Sequence, residues 1–135
     1  LPNELLALAA QADVVVNALP LTPQTNGLFD TAFFDAVKPN AIFLAVGRGK
    51  STVTSDLIAA LEAGKLFGAG LDVTDPEPLP KTNPLWEMPN VILTPHVSAA
   101  GPDSTKRTMT IAVENLRRYA EGEPLLNVVD MARGY

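Results

Sequence analysis

Four short apolar runs, separated by stretches with helical spacing, constrain the fold of this chain more than any other feature. They are residues 12–19 (ADVVVNAL), 41–46 (AIFLAV), 69–73 (AGLDV) and 91–94 (VILT). Short runs without polar alternation suit strands that are apolar on both faces. Helical patterns lie between them. Residues 5–10 form a short one. Residues 30–37 form another, with Asp30 or Thr31 as its cap and Pro39–Asn40 as its stop. A third starts at Thr54–Ser55–Asp56 and runs to about Ala63, where Gly64 is a natural C-terminal cap. The last begins near Gly101–Pro102, with proline in its first turn. Met109, Ala112, Val113, Leu116 and Ala120 give it one apolar stripe, and Gly122 closes it. Strands alternating with helices predict right-handed βαβ units around a parallel sheet, an α/β fold.

In such sheets ligands bind beyond the carboxyl ends of the strands. The segments to examine are therefore 20–25, Gly47–Arg48–Gly49, 72–77 and 96–100, which the topology places on one edge. His96 is the only histidine, and its imidazole can give or take a proton near neutral pH. Position alone leaves a surface or capping histidine equally open. Arg48 stands between two glycines directly after an apolar run. A guanidinium grips a carboxylate through two parallel hydrogen bonds, and flanking glycines would let the backbone approach a ligand closely. A solvated arginine in a glycine turn is the plain alternative. Glu77 lies in Asp75–Pro76–Glu77–Pro78, where the prolines restrict its backbone. A carboxylate beside an imidazole orients the ring and favours its protonated form. Asp72 sits inside an apolar segment, so its carboxylate needs a partner: a ligand amide, a helix N-terminus or a structural hydrogen bond. Taken together, an anion grip, a proton donor and a carboxylate to orient that donor suit reduction of a 2-oxo acid. A nicotinamide is the obvious hydride source, since no side chain can supply one.

Composition narrows the field further. The chain has 135 residues, 47% hydrophobic and 19% charged, which is ordinary for a globular protein. A net charge of −5 with scattered basic residues disfavours a nucleic-acid surface. No apolar run approaches the roughly eighteen residues of a membrane span. The absence of cysteine excludes disulfides, zinc–thiolate sites and thiol catalysis, and it fits a cytoplasmic protein. No metal site is expected. The opening Leu1–Pro2–Asn3–Glu4, without Met or a signal pattern, reads as the interior of a longer chain.

The segments VVVNALPLTPQTNGLFD (14–30), VGRG (46–49), DLIAALEAGKLFGAGLDVTDPEPLP (56–80) and NPLWEMPNVILTPH (83–96), with the terminal helix, resemble the D-isomer-specific 2-hydroxyacid dehydrogenases. That family includes phosphoglycerate, glyoxylate/hydroxypyruvate, D-lactate and formate dehydrogenases. The resemblance implies part of a Rossmann-like, doubly wound parallel sheet that binds NAD or NADP. It implies that Arg48 binds substrate, that Glu77 and His96 form the acid/base dyad, and that Asp72 contacts the nicotinamide carboxamide. Leu19, Pro20 and Thr25 would lie beside the cofactor's ribose and phosphate. Val46 and Gly47 would lie near the nicotinamide, and Arg48, His96, Ser98 and Ala99 would also line the cofactor. Trp86 is either a wall of the substrate pocket or a packing aromatic, with packing slightly favoured. Residues 1–121 would be the C-terminal part of the cofactor domain, and 122–135 a return towards a substrate domain. By the same resemblance the full-length protein would be a homodimer acting on a small 2-oxo or 2-hydroxy acid.

Two departures stand out. Many members have Asn three residues before the arginine, where this chain has Ala45, so a hydrogen bond in that loop is either missing or supplied by another group. No GxGxxG occurs, nor the acidic residue that follows it. The first βαβ unit is therefore expected to be absent, and a polypeptide of these residues alone should bind NAD(P)H weakly or not at all. Three rival readings remain. One is formate or phosphite oxidation, against which Glu77 argues because formate enzymes of the family carry Gln there. Another is an NAD-sensing corepressor or scaffold of the same fold. The third is an inactive fragment.

Overall fold

The computed structural model describes residues 2–134, which form two compact units divided between His96 and Val97. The first unit contains α1 (Pro2–Ala9), β1 (Val14–Asn17), α2 (Thr31–Ala36), β2 (Ala41–Ala45), α3 (Thr54–Glu62), β3 (Leu66–Leu71) and β4 (Val91–Leu93). Its four strands make one sheet in the order β1-β2-β3-β4, with every neighbouring pair parallel. All four strands consequently end on the same edge, the one that carries Arg48, Asp72 and His96.

The core lies on one face of this sheet. Alternate residues of β2, namely Ala41, Phe43 and Ala45, are buried, together with Ala69 and Leu71 of β3. Phe29, Phe33, Phe34 and Phe43 meet with ring centroids 4.8–5.9 Å apart, mostly edge to face, the arrangement that aromatic quadrupoles favour. Leu57 and Leu61 of α3 close the layer. The opposite face is apolar as expected but exposed at Val14, Val16 and Ile92. The apolar runs therefore read correctly as strands, while the second face is buried only in part.

Local chemistry explains most boundaries. Asp30 caps α2 by accepting from the Phe33 N–H at 3.0 Å. The polar cluster at the start of α3 is used differently from expectation, because Val53 is its N-cap and provides no side-chain cap. The Asp56 carboxylate instead accepts from both the backbone N–H and the hydroxyl of Thr31, each at 2.7 Å, bracing the start of α2. The Thr31 hydroxyl bond, the largest influence, holds the Asp56 carboxyl below the usual range. Gly64, at φ +66°, follows the end of α3 as expected.

β3 begins at Leu66, three residues earlier than the sequence suggested. The register slips beside Ala41, whose partner is Leu66 while Ile42 pairs with Gly68, so Phe67 bulges and its ring is exposed. Gly68, which looks like a break, sits where a Cβ would lie 2.5 Å from the Asn90 carbonyl oxygen. Its absence of a side chain allows that approach.

The second unit contains α4 (Ser104–Glu121). Pro102 lies in the turn before the helix and not in its first turn, and Asp103 is the N-cap residue. Met109, Val113 and Leu116 of the expected apolar stripe are exposed. Gly122, at φ +71°, ends the helix with its N–H on the Arg118 and Tyr119 carbonyls. Arg117 and Arg118 both bond Glu114, and these guanidinium contacts, that of Arg117 foremost, hold its carboxyl down at about 2. Among the described residues no helix is long and apolar enough to cross a membrane.

Candidate active site

The turn after β2 is a packing node for three strand-end loops. A Cβ at Gly47 would lie 2.5 Å from the Leu19 carbonyl oxygen, and one at Gly49 would lie 1.8 Å from the Thr74 carbonyl oxygen. Both glycines are therefore required by neighbouring backbone of the chain itself, where the sequence had suggested approach of a ligand. Between them Arg48 is exposed, just before the short 3₁₀ turn Gly49–Ser51. One of its N–H groups donates to the Gly47 carbonyl at 2.8 Å. Among the described residues it forms no ion pair. Most of its five donors are thus available to an anion at the sheet edge.

Asn17 stands directly opposite Ala45 in the β1–β2 register. Asn17 is completely buried, and its amide nitrogen donates to the Ser51 hydroxyl at 2.7 Å. That hydroxyl in turn donates to the Arg48 carbonyl at 2.6 Å. The loop after β1 folds on itself through Thr25, whose hydroxyl donates to the Pro20 carbonyl at 2.7 Å and accepts from the Thr22 N–H at 2.8 Å. Thr25 thus shapes the loop, with Leu19 and Val46 partly exposed at its side of the edge.

Glu77 and His96 come from loops after β3 and β4. Thr54 donates its hydroxyl to the Asp75 carbonyl at 2.7 Å, and Thr74 donates its hydroxyl to that of Pro76 at 3.0 Å, which fixes the base of the proline-rich loop. The Thr94 N–H continues the sheet to the Leu71 carbonyl at 3.0 Å. Its hydroxyl donates to the buried Asp72 carboxylate at 2.6 Å. A protein hydroxyl therefore partners the Asp72 carboxylate. His96 has φ +55°, a left-handed conformation uncommon outside glycine and asparagine. The sharp turn brings its Nδ1 to within 2.7 Å of Glu77 Oε1. With the carboxylate ionised, Nδ1–H donates, and Nε2 is left for another group.

A cleft of 470 Å³ adjoins this pair, lined by Asp72, Thr74, Glu77, Trp86, Leu93 and Thr94 among others. Trp86 lines it while its indole N–H donates to the Pro80 carbonyl at 3.0 Å, so the ring is a wall of the cleft and is anchored as well. The sequence had slightly favoured packing alone. Ser98 and Ala99 lie in the second unit, in a turn closed by the Ala100 N–H on the Val97 carbonyl at 2.8 Å. The residues that sequence reasoning missed are Asn17, Ser51 and Thr94. An Asn inside an otherwise apolar run was the available signal for the first.

Side-chain exposures of 42% for His96 and 41% for Glu77 bear on what their contact is for. Ion pairs this exposed contribute about 0–1 kcal/mol to stability. Glu77→Ala is thus expected to shift unfolding by less than about 1 kcal/mol, measured by urea titration. A larger loss would make the pair mainly structural.

Comparison with known proteins agrees with this architecture. Residues 2–98 match the family model described as D-isomer specific 2-hydroxyacid dehydrogenase, NAD binding domain. The chain is 44% identical over 119 residues to the human glyoxylate reductase/hydroxypyruvate reductase, covering 87% of this chain and 36% of the relative. It is 41% identical to glyoxylate/hydroxypyruvate reductase A of Salmonella heidelberg, covering 98% of this chain and 42% of that protein. Among solved structures, a D-isomer specific 2-hydroxyacid dehydrogenase of Xanthobacter autotrophicus in complex with NADPH superposes with a TM-score of 0.91 at 41% identity. That match covers 98% of this chain and 54% of the other. The NADPH-dependent glyoxylate/hydroxypyruvate reductase of Sinorhizobium meliloti, in complex with NADP and sulfate, gives 0.89 at 38% identity, over 98% and 43% of the two chains. The chain spans between 36% and 42% of the length of the curated relatives it matches.

Fold and matches together define a Rossmann-like nucleotide-binding α/β domain. The chain belongs to the D-isomer specific 2-hydroxyacid dehydrogenase family, through its NAD-binding domain.

Proposed function

We propose that the protein containing this chain reduces a small 2-oxo acid to the D-2-hydroxy acid with NADH or NADPH, and runs the reverse oxidation. The observation that carries this reading is the 2.7 Å contact between His96 Nδ1 and Glu77, on the sheet edge that also presents Arg48. The named relatives, glyoxylate/hydroxypyruvate reductases, support the substrate class.

The residues present fit the nicotinamide end of a dinucleotide. Leu19 and Val46 leave apolar surface exposed beyond β1 and β2, and Asp72 brings a buried carboxylate to the same edge. An apolar platform with one carboxylate acceptor suits an uncharged ring bearing a carboxamide. By this reading Pro20, Thr25 and Gly47 shape the cofactor side of the edge. Residues 1–121 belong to the cofactor domain, and 122–135 lead back towards a substrate domain. When bound, the reduced nicotinamide supplies a hydride.

The chain's own side chains do the rest. Arg48 holds the substrate carboxylate and directs N–H donors at the ketone oxygen, where negative charge develops. His96 gives that oxygen its proton from Nε2 and recovers it from solvent; in oxidation it takes the hydroxyl proton. Glu77 holds the imidazole in one orientation and tautomer, and stabilises its cationic form during the reaction. Trp86 and Leu93 exclude water from one side of the cleft.

The test uses the product of the complete reading frame with glyoxylate and hydroxypyruvate, following loss of NADPH or NADH absorbance. Arg48→Ala is expected to raise KM and lower kcat, with kcat/KM falling by about 100-fold or more, the worth of two charge-assisted hydrogen bonds. Wild-type protein inactive on every 2-oxo acid offered, or Arg48→Ala kinetics equal to wild type, would remove this reading.

A further inference from the structure

We propose that Asn17 is a positioning residue that ties the Arg48 turn to the Leu19–Pro20 loop, so that anion grip and cofactor-side loop are set as one unit. The proposal rests on the reading of Arg48 as the carboxylate grip. Asn17 is the last residue of β1 and is 0% exposed, as is Ser51. Ala45 is its partner across the β1–β2 pairing. A buried amide must place both its donor and its acceptor, and Asn17 places them in different loops.

Its Nδ2 donates to Ser51 Oγ at 2.7 Å and lies 3.4 Å from Thr52 Oγ1. Its Oδ1 accepts from the Leu19 N–H at 3.3 Å. Its main-chain carbonyl accepts from the N–H groups of both Val46 and Gly47, at 2.9 and 3.1 Å. Ser51 completes the chain by donating to the Arg48 carbonyl at 2.6 Å and pairing its own N–H with the same oxygen at 3.1 Å. A single residue thus touches the backbone on both sides of the edge, with one hydroxyl between it and Arg48. The amide never reaches the guanidinium itself. Its action is on where the Arg48 backbone stands relative to Leu19.

The experiment uses the product of the complete reading frame and two variants that cut the chain at successive links, Asn17→Ala and Ser51→Ala. The first readout is amide hydrogen exchange by NMR. Ser51→Ala is expected to speed exchange at Leu19 as well as within residues 47–52, because the two loops share one hydrogen-bonded link. Unchanged exchange at Leu19 in folded Ser51→Ala protein would overturn the proposal whether or not the protein turns over a 2-oxo acid. The second readout is kinetic. Each variant should raise KM for the 2-oxo acid about tenfold with a smaller change in kcat, and the double variant should be no worse than the weaker single one. Strictly multiplying effects, or lowered thermal stability with KM unchanged, would show two separate structural bonds and overturn the coupling. Should Asn17→Ala fail to fold, Ser51→Ala carries both readouts. A wild-type protein without 2-oxo acid turnover overturns the functional reading alone and leaves the exchange result to decide the coupling.

Discussion

Replacing His96 by alanine in the complete protein is expected to lower kcat by roughly 10²–10⁴-fold, the usual worth of a general acid–base group. The expectation follows from the ring's geometry. Nδ1 is committed to Glu77 at 2.7 Å, so proton delivery has one outlet, Nε2. His96 is the only histidine in the chain. The fold should survive, because the side chain is 42% exposed and outside the core. One local cost must be separated from the chemical one. At φ +55° an alanine is mildly strained, whereas asparagine adopts this conformation readily. His96→Asn should therefore lose activity as fully as His96→Ala while melting closer to wild type. Activity retained in the asparagine variant would assign His96 a conformational role and leave the proton donor elsewhere.

The largest effect on the fold is expected from Gly49→Ala. The added Cβ would stand 1.8 Å from the Thr74 carbonyl oxygen, 2.2 Å from its carbon and 2.9 Å from the Asp75 nitrogen. All three are backbone atoms, so no rotamer change relieves the overlap. Either the Arg48 turn or the Thr74–Asp75 loop must move. Overpacking of this kind costs about 1–3 kcal/mol, occasionally more. The melting temperature should fall by roughly 2–4 °C for each kcal/mol in a domain of about 150 residues or more. Activity should fall with it, since one loop carries Arg48 and the other leads into Glu77. Gly101→Ala is the matched control, for its Cβ would meet nothing within 4 Å and its φ is unexceptional. Equal melting temperatures for the two variants would show that the loops at Gly49 yield freely.

Much of this architecture was legible because it rests on local pattern. The runs around Val14–Asn17, Ala41–Ala45 and Val91–Leu93 became parallel strands, and Asp30, Gly64 and Gly122 cap as their chemistry suggests. The misreadings have tertiary causes. The third strand was read from Ala69, because the use of Gly68, room for the Asn90 carbonyl, belongs to a neighbouring loop. Asp56 resembled a helix cap, but the donors it serves are on Thr31, 25 positions earlier. At the site, Arg48, Glu77 and His96 could be picked out as candidates from residue type and strand-end position. The glycines beside Arg48 were read as facing a ligand, because sequence does not reveal that the Leu19 and Thr74 carbonyls crowd them. Asn17 shows the same limit from the other side. Its amide serves the loop after β2, and only strand register brings it opposite position 45.

The most direct test of the central claim, that His96 is the proton donor of a 2-oxo acid reductase, is chemical rescue of its variant. NADPH oxidation with glyoxylate would be followed for His96→Ala in the complete protein as imidazole is added. An imidazole-dependent rise in rate, absent from wild type and from Arg48→Ala, is the predicted result. Wild-type turnover by His96→Ala without imidazole would contradict it.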